Sequence, residues 1–266
     1  MNEKTFCEDK IPIIKVKGGL PFPDAIQSHP DLIPYLKSRD PPRLNLKNRT
    51  ALLLYNKYIA KDKFGLDVIL EEEKAVIPTP ILRYNFLLQF LKPNSTIIEL
   101  GTGPSALIAM LAAKHFGAKV FATEMDPLYL KLAKENILRN NLENQISIVD
   151  SKGNFLDNVF PTDFKVDYII SNPPYYEKIR STKILWGGRE HELVSGTLGQ
   201  QFIVRMIEEG WKYLKNDGKI AFMISKKRTE TLITVNEFIQ SIGCEVTIVG
   251  LKAGNRIRYV FLLYKK

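Results

Sequence analysis

The sequence lacks the residue patterns that secretion, membrane insertion and structural zinc binding require. Its 266 residues include only two cysteines, Cys7 and Cys244, which form no C-x-x-C pair, and three histidines that lie far apart. These counts exclude a disulfide framework, argue against a zinc site and suit a reducing cytosol. The charged N-terminus has no signal-peptide core, and the apolar runs are too short to span a bilayer. We expect a monomeric, cytoplasmic protein with no membrane or metal partner.

The charges that are present are concentrated at the two ends of the chain. Residues 219–266 hold nine basic and three acidic side chains, residues 1–92 hold 15 and 11, and the middle is nearly neutral. Basic ends favour a polyanionic partner such as nucleic acid. A solvated basic surface explains the charge equally well, so charge alone does not name the partner.

Strand-like and helix-like segments alternate after residue 93. The predicted strands are residues 96–100, 119–123, 145–149, 166–171 and 219–224. The predicted helices between and after them are residues 104–116, 127–140, 199–214 and 228–242. This alternation is typical of a doubly wound, mostly parallel, Rossmann-like α/β sheet.

Two further features complete the predicted fold. Residues 245–251 and 256–264 are expected to add an antiparallel hairpin, which makes seven strands. Residues 1–75 are predicted to be a small, mainly helical, RNA-binding extension, irregular over residues 11–47, with a later helix capped by Asn48. Residues 76–266 then form the catalytic domain.

A glycine-rich turn follows the first strand of that domain. Its candidate cofactor-binding residues are Glu99, Gly101, Thr102 and Gly103. Glycines suit a tight turn that a cofactor approaches closely, and Pro104 suits the first position of a helix. Glu124 ends the next strand, where a carboxylate can bind ribose hydroxyls. NAD and S-adenosylmethionine both fit this pattern; Glu99 favours the latter, because its carboxylate can pair with an ammonium group.

The segment Asn172-Pro173-Pro174-Tyr175 follows the fourth strand, at the sheet edge where ligands of open α/β folds bind. The Asn172 side-chain oxygen and the Pro173 carbonyl can each accept an N–H bond from an amino group on an aromatic ring, which directs its lone pair at a methyl donor. The two prolines stiffen these acceptors, and the Tyr175 ring can stack on a base. These four residues are the candidate catalytic residues, and Asn172 is also expected to contact the cofactor.

Together these segments resemble the RNA adenine-N6 methyltransferases that comprise the bacterial large-subunit ribosomal RNA enzyme and the eukaryotic methyltransferase-like-sixteen protein. The resemblance extends from about residue 30 to the C-terminus, and its most specific stretch is residues 78–85 (PTPILRYN). It implies a class I methyltransferase fold, S-adenosylmethionine as cofactor, and methylation of adenine N6 in structured RNA, either ribosomal or small non-coding RNA.

The resemblance also implies residue roles. Arg83 is expected to reach the cofactor carboxylate, Gly101 and Glu124 to hold the cofactor backbone and ribose, and Asn172 and Tyr175 to bind the adenine. Contacts with RNA are expected from the basic residues Lys226, Lys227, Arg256 and Arg258.

Four alternatives remain open from the sequence. The same Asn-Pro-Pro-Tyr turn serves guanine-N2 methylation of RNA and glutamine-N5 methylation of release factors. An NAD-dependent oxidoreductase accounts for the glycine turn but leaves Asn172 to Tyr175 unexplained. A non-catalytic RNA-binding module accounts for the charge and would tolerate loss of Asn172.

Overall fold

The segments predicted after residue 93 form one large sheet in a computed structural model of the chain, which describes residues 8–70, 75–174, 176, 190–195 and 199–264. The strands are β1 (Ile13–Lys15), β2 (Leu36–Arg39), β3 (Pro42–Leu44), β4 (Thr96–Leu100), β5 (Lys119–Glu124), β6 (Ile146–Asp150), β7 (Val166–Ser171), β8 (Leu214–Ser225), β9 (Glu245–Ala253) and β10 (Arg256–Tyr264). The helices are α1 (Phe22–Ser28), α2 (Arg49–Phe64), α3 (Pro80–Leu87), α4 (Leu107–Phe116), α5 (Pro127–Arg139), α6 (Glu190–Leu193), α7 (Gln201–Gly210) and α8 (Thr229–Ser241).

The sheet has the order β1-β9-β10-β8-β7-β4-β5-β6. Strands β4 to β8 pair in parallel, whereas β10 runs antiparallel to both β8 and β9. The α/β class I architecture predicted from the sequence is confirmed. Because β5 and β6 extend the sheet on one side of β4, and β7 and β8 on the other, the switch point lies between β4 and β7. The carboxyl ends of those two strands therefore frame the expected ligand site.

The prediction of seven strands was wrong, because β1 adds an eighth at the edge of the sheet. It pairs in parallel with β9, Ile13 lying opposite Gly250. A β-carbon at Gly250 would stand 2.3 Å from the Ile13 Cδ1 atom, so the glycine makes room for the added strand. All three β1 residues are exposed, so the strand has no alternating pattern to reveal it in the sequence.

Residues 11–47, which were predicted to be irregular, contain α1, a 3-10 segment at Pro30–Tyr35 and the hairpin of β2 and β3. Prolines stand at the start of α1 and of the 3-10 segment, where a missing amide costs no bond, and Pro34 lies inside the 3-10 segment. The predicted Asn48 cap of α2 is confirmed, since its Oδ1 accepts a bond from the Ala51 amide at 3.0 Å. Ile59 and Phe64 of α2 pack in the same core as α4, and the boundary at residue 75 stays a prediction.

Candidate active site

Two cavities lie side by side at the carboxyl ends of the central strands. The first, of 320 Å³, is bounded by the glycine turn, the end of β5 and the segment after β6. The second, of 510 Å³, is bounded by the start of α8 and the β9–β10 turn. The residues that line both cavities are Val76, Arg83, Asn172, Pro174 and Glu192. A ligand in the first cavity is therefore separated from a ligand in the second by one shared wall.

All the predicted cofactor residues line the first cavity. They are Arg83, Glu99, Gly101, Thr102, Gly103, Glu124 and Asn172. They lie on α3, at or after the end of β4, at the end of β5 and directly after β7. The parallel register brings these strand ends together, with Glu99 between Ala122 and Ile170. Their binding role remains a prediction, but the sheet assembles them as one group.

The glycine turn has an unusual backbone. Gly101 and Gly103 have φ angles of +66° and +69°, and Ala106 also adopts a left-handed conformation with φ of +46°. Side chains rarely adopt this region, which explains the two glycines and leaves strain at Ala106. The turn delays the helix, so α4 begins at Leu107 and the prediction that Pro104 occupies its first position was wrong.

Hydrogen bonds from the neighbouring strand fix this turn. The Thr102 amide donates to the Thr123 carbonyl at 2.9 Å, and the Gly103 amide donates to Glu124 Oε2 at 3.0 Å. Glu124 Oε1 accepts further bonds from the amides of Met125 and Asp126. The Glu124 carboxylate is therefore held by backbone donors at the cavity wall, where its charge and remaining acceptor capacity suit ribose hydroxyls.

The space beside Gly103 fits a bound nucleoside. Apart from Gly103 and its two chain neighbours, no heavy atom of the described residues lies within 4 Å of the position that a β-carbon of Gly103 would take, so among these residues this face of the turn is open. A carboxylate at Glu124, a cation at Arg83 and a second carboxylate at Glu99 line the same cavity. This donor and acceptor set matches the ribose, carboxylate and ammonium groups of S-adenosylmethionine.

Glu99 is a buried acid of the cavity with a raised pKa. Its side chain is buried, and its Oε2 accepts a bond from the Thr102 hydroxyl at 2.8 Å. Burial raises the pKa of Glu99 to about 7, against the opposing effects of that bond and of the Arg83 charge. A cationic ligand beside this group would favour its ionised form, so ligand binding and proton release are coupled.

This coupling predicts pH-dependent cofactor affinity. Below pH 7 a ligand with an ammonium group must displace the proton of Glu99, so S-adenosylhomocysteine should bind about tenfold more weakly at pH 6.0 than at pH 7.5. The same raised pKa stabilises the ligand-free fold at low pH, and this stabilisation is lost as the pH rises from 4.5 to 7. Calorimetric titration of the wild type and of Glu99→Gln tests the first statement, and thermal unfolding of both ligand-free proteins over the same pH range tests the second. The variant should bind with a nearly flat pH profile; an equally steep profile would assign the dependence to another group.

The segment after β6 and helix α7 supply cavity residues that the sequence reasoning missed. Phe155 and Phe202 line the first cavity with ring centroids 4.7 Å apart, and the Arg205 guanidinium lies 4.5 Å from the Phe155 centroid. Glu209 Oε2 accepts bonds from the Leu156 and Asp157 amides at 2.9 Å. Residues 151–155 follow a parallel strand, and this position alone indicates that they line the ligand site. No local pattern in α7 indicates that one of its side chains reaches the cavity.

The carboxylate of Glu209 anchors this segment to α7. Burial acts to raise the pKa of Glu209, but the backbone amides of Asp157 and Leu156 and the Arg205 guanidinium outweigh it, and the pKa lies below its ordinary value. The ionised form of Glu209 therefore holds one wall of the first cavity in place.

The Asn-Pro-Pro segment stands where the sequence predicted it, directly after β7. Asn172 and Pro174 line both cavities, and Pro173 lines the second. The Ser171 hydroxyl donates to the Leu100 carbonyl at 2.8 Å, which ties this segment to the end of β4 beside the glycine turn. Tyr175, the predicted stacking residue, lies outside the described residues.

The predicted RNA-binding residues are brought together in the second cavity. Lys226 and Lys227 follow β8, Arg256 and Arg258 belong to β10, and all four line its wall. Antiparallel pairing of Arg258 with Ser225 places the two pairs side by side, and the Arg258 Nη1 donates to the Ser225 hydroxyl at 2.9 Å. Lys226 also forms an ion pair with Glu8 at 2.6 Å.

Arg228 adds a fifth cation to the same wall. Its guanidinium lies 3.6 Å from the centroid of the Tyr176 ring, a close cation–π contact next to the Asn-Pro-Pro segment. The sequence predicts that Arg228 begins a helix. It does not predict the contact with the Tyr176 ring, because the two residues lie 52 positions apart.

The described residues contain no group of three or more His, Cys, Asp or Glu side chains placed to hold a metal ion. No helix in the described part of the chain has both the length and the apolar character needed to cross a bilayer.

Comparison with known proteins gives three informative matches besides a family model. The model of the methyltransferase small domain matches residues 84–188. A protein of Methanocaldococcus jannaschii, whose name provisionally calls it a methyltransferase, is 36% identical over 256 residues, covering 91% of this chain and 97% of the relative. The N-terminal domain of human METTL16, solved in complex with SAH, has a TM-score of 0.73 and 23% identity, covering 99% of this chain and 98% of that one.

A more distant relative carries a named substrate. The U6 small nuclear RNA (adenine-(43)-N(6))-methyltransferase of Drosophila melanogaster is 29% identical over 148 residues, which cover 50% of this chain and 48% of the relative. This chain therefore matches about half the length of that enzyme. The resemblance to RNA adenine-N6 methyltransferases noted from the sequence motifs is confirmed as a similarity.

Proposed function

Because this chain belongs to the methyltransferase family of its Methanocaldococcus jannaschii relative, we propose that it transfers a methyl group from S-adenosylmethionine to the N6 amino group of an adenine in structured RNA. The observation that carries the proposal is the position of Asn172 in the wall shared by the two cavities. One cavity offers groups suited to a nucleoside cofactor, and the other is lined by cations suited to a polyanion.

The first cavity supplies the cofactor site. We assign Glu124 to the ribose hydroxyls, Arg83 to the cofactor carboxylate and Glu99 to its ammonium group. When bound, S-adenosylmethionine supplies a methyl carbon made electrophilic by the neighbouring sulfonium. The backbone of Gly101 to Gly103 lets that molecule approach the turn without a clash.

The shared wall supplies the acceptors for the substrate amino group. The Asn172 side-chain oxygen and the Pro173 carbonyl each accept an N–H bond, which turns the nitrogen lone pair toward the first cavity. Both groups follow the end of β7 on a proline-stiffened backbone, so little reorganisation is needed when the base enters. Positioning is then most of the catalysis, and no strong base is required because the proton leaves after transfer.

The second cavity supports RNA as the substrate. Among the described residues, five cationic side chains line it besides Arg83 of the shared wall: Lys226, Lys227, Arg228, Arg256 and Arg258. Cationic side chains complement the negative charge of the phosphates beside an extruded nucleotide. A peptide that carries a glutamine has no such charge to neutralise. The adenine-N6 activity named for the Drosophila relative supports the choice of base.

The function is tested by incubating the protein with total RNA and a labelled methyl donor, followed by mass analysis of nucleosides. We expect N6-methyladenosine. N2-methylguanosine as the product would contradict the choice of base, and labelled protein in place of RNA would contradict a nucleic-acid substrate.

The basic wall makes a second prediction, on salt dependence. Lys227→Ala combined with Arg256→Ala should weaken binding of an RNA hairpin with an unpaired loop adenine and reduce the slope of log affinity against log salt by about 2. Fluorescence anisotropy at several salt concentrations measures this slope. The matched control is Lys131→Ala with Lys134→Ala, two exposed α5 residues that line neither cavity. Equal slopes for both double variants would contradict a contact between RNA and the second cavity.

A further inference from the structure

The C-terminal end of helix α5 presents two asparagines, Asn136 in its last turn and Asn140 at its C-cap, whose side chains bind a segment distant in sequence. Asn136 Oδ1 accepts a bond from the Ile69 amide at 2.7 Å, and its Nδ2 donates to the Ile69 carbonyl at 3.3 Å. One helical turn later, Asn140 makes the same two bonds with the amide and carbonyl of Asp67, at 2.9 and 2.8 Å. We call residues 66–70 the linker, since they lead from α2 to the residues that line the cavities.

The spacing of these contacts explains why two asparagines suffice. Four residues of a helix rise about 6 Å, and two residues of an extended chain rise about 6.6 Å, so positions 136 and 140 match positions 67 and 69. Every second residue of the linker is buried, namely Leu66, Val68 and Leu70, which is the pattern of an extended chain. The asparagine amides thus bond the backbone of Asp67 and Ile69 as a neighbouring strand would.

Asn136 makes one bond that Asn140 does not. Its Nδ2 also donates to the Pro104 carbonyl at 3.0 Å, in the glycine turn of the first cavity. Asn136 is fully buried, so its truncation would remove a donor that is held in place by the core and would leave the Pro104 carbonyl without this bond. Asn140 instead contacts the Met110 sulfur on α4 and the carbonyl of Asn136.

The Pro104 carbonyl lies between two residues of the turn that have left-handed backbones. Gly103 before it and Ala106 after it both have left-handed backbones, at φ of +69° and +46°. Such a backbone persists only where surrounding contacts fix it. Thr123 and Glu124 fix the start of the turn, and Asn136 fixes its far side.

We propose that Asn136 is a positioning residue for the cofactor turn, because one buried amide ties Pro104 to the linker that leads toward Val76 and Pro78 in the cavity wall. The inference rests on the proposed function, which assigns this turn to S-adenosylmethionine. It adds that cofactor affinity depends on a side chain that lines neither cavity.

The test compares Asn136→Ala with Asn140→Ala. Both remove two bonds to the linker, and both should lower the melting temperature, but only the first releases Pro104. Calorimetry should show a dissociation constant for S-adenosylhomocysteine raised about tenfold in Asn136→Ala and less than twofold in Asn140→Ala. At saturating cofactor, kcat of Asn136→Ala should stay within about threefold of the wild type, whereas KM for the cofactor rises.

Hydrogen exchange and a milder variant complete the test. The Ala106 amide, bonded to the Gly103 carbonyl at 3.3 Å, should exchange faster in Asn136→Ala than in Asn140→Ala. If Asn136→Ala does not fold, Asn136→Ser carries the same comparison. Equal affinities in the two variants, with equal Ala106 exchange, would overturn the inference. Failure of the wild type to bind S-adenosylhomocysteine would instead contradict the proposed function.

Discussion

Replacement of Asn172 by alanine should lower kcat by at least about 100-fold and change the dissociation constant for S-adenosylhomocysteine by less than about fivefold. The variant removes a preorganised acceptor from the reacting amino group, and single groups of this kind are worth about 100- to 1,000-fold in rate. Asn172 is half-buried at the end of β7, so its truncation leaves no cavity in the core. Single-turnover methylation at saturating cofactor measures the effect directly.

Asn154→Ala is the matched control for this variant. Asn154 lines the first cavity but not the second, so its truncation should weaken cofactor binding and spare kcat at saturation. Asn172→Ala would then lower kcat and largely spare cofactor affinity, whereas Asn154→Ala would lower cofactor affinity and spare kcat. Near-normal turnover in Asn172→Ala would contradict the role assigned to Asn172. No turnover in the wild type, with RNA binding intact, would favour a non-catalytic RNA-binding module.

Replacement of Gly103 by alanine should raise the dissociation constant for S-adenosylhomocysteine about 100-fold, or about 2.7 kcal/mol. The added methyl group would enter the open space beside the turn, where we place the cofactor, and φ of +69° strains any residue with a β-carbon. Isothermal titration calorimetry measures the loss of affinity, and thermal unfolding measures the accompanying strain.

Gly65→Ala separates these two effects. Gly65 ends α2 with φ of +61°, so alanine there should cost a similar free energy of unfolding. It lines neither cavity, and its variant should bind the cofactor like the wild type. Equal affinities for the two variants would show that the space beside Gly103 is not the cofactor site.

Much of the fold and the centre of the site could be predicted from the sequence, because both rest on local patterns. Buried strands gave continuous apolar runs, so the bounds of β4 and β7 were predicted to the residue. The parallel register then dictated that Glu99, Glu124 and Asn172 would meet at one edge. The grouping of the basic residues near Lys226 and Arg256 depends on the antiparallel pairing of β10 with β8, whereas the sequence predicted only the hairpin of β9 and β10.

What the sequence did not reveal depends on contacts between distant segments. Strand β1 pairs only because Gly250 leaves room for Ile13, which no pattern within residues 13–15 encodes. The bonds of Asn136 to Ile69 and Pro104 cross 67 and 32 positions, and a lone asparagine in a helix gives no sign of them. The left-handed backbone at Ala106 is likewise set by the turn as a whole.

A structure with bound S-adenosylhomocysteine tests the central claim most directly. The account predicts the ligand in the first cavity, its ribose at Glu124 and its sulfur facing the second cavity past Asn172. A sulfur atom buried away from Asn172, or a ligand bound outside the first cavity, would contradict the proposed transfer across the shared wall.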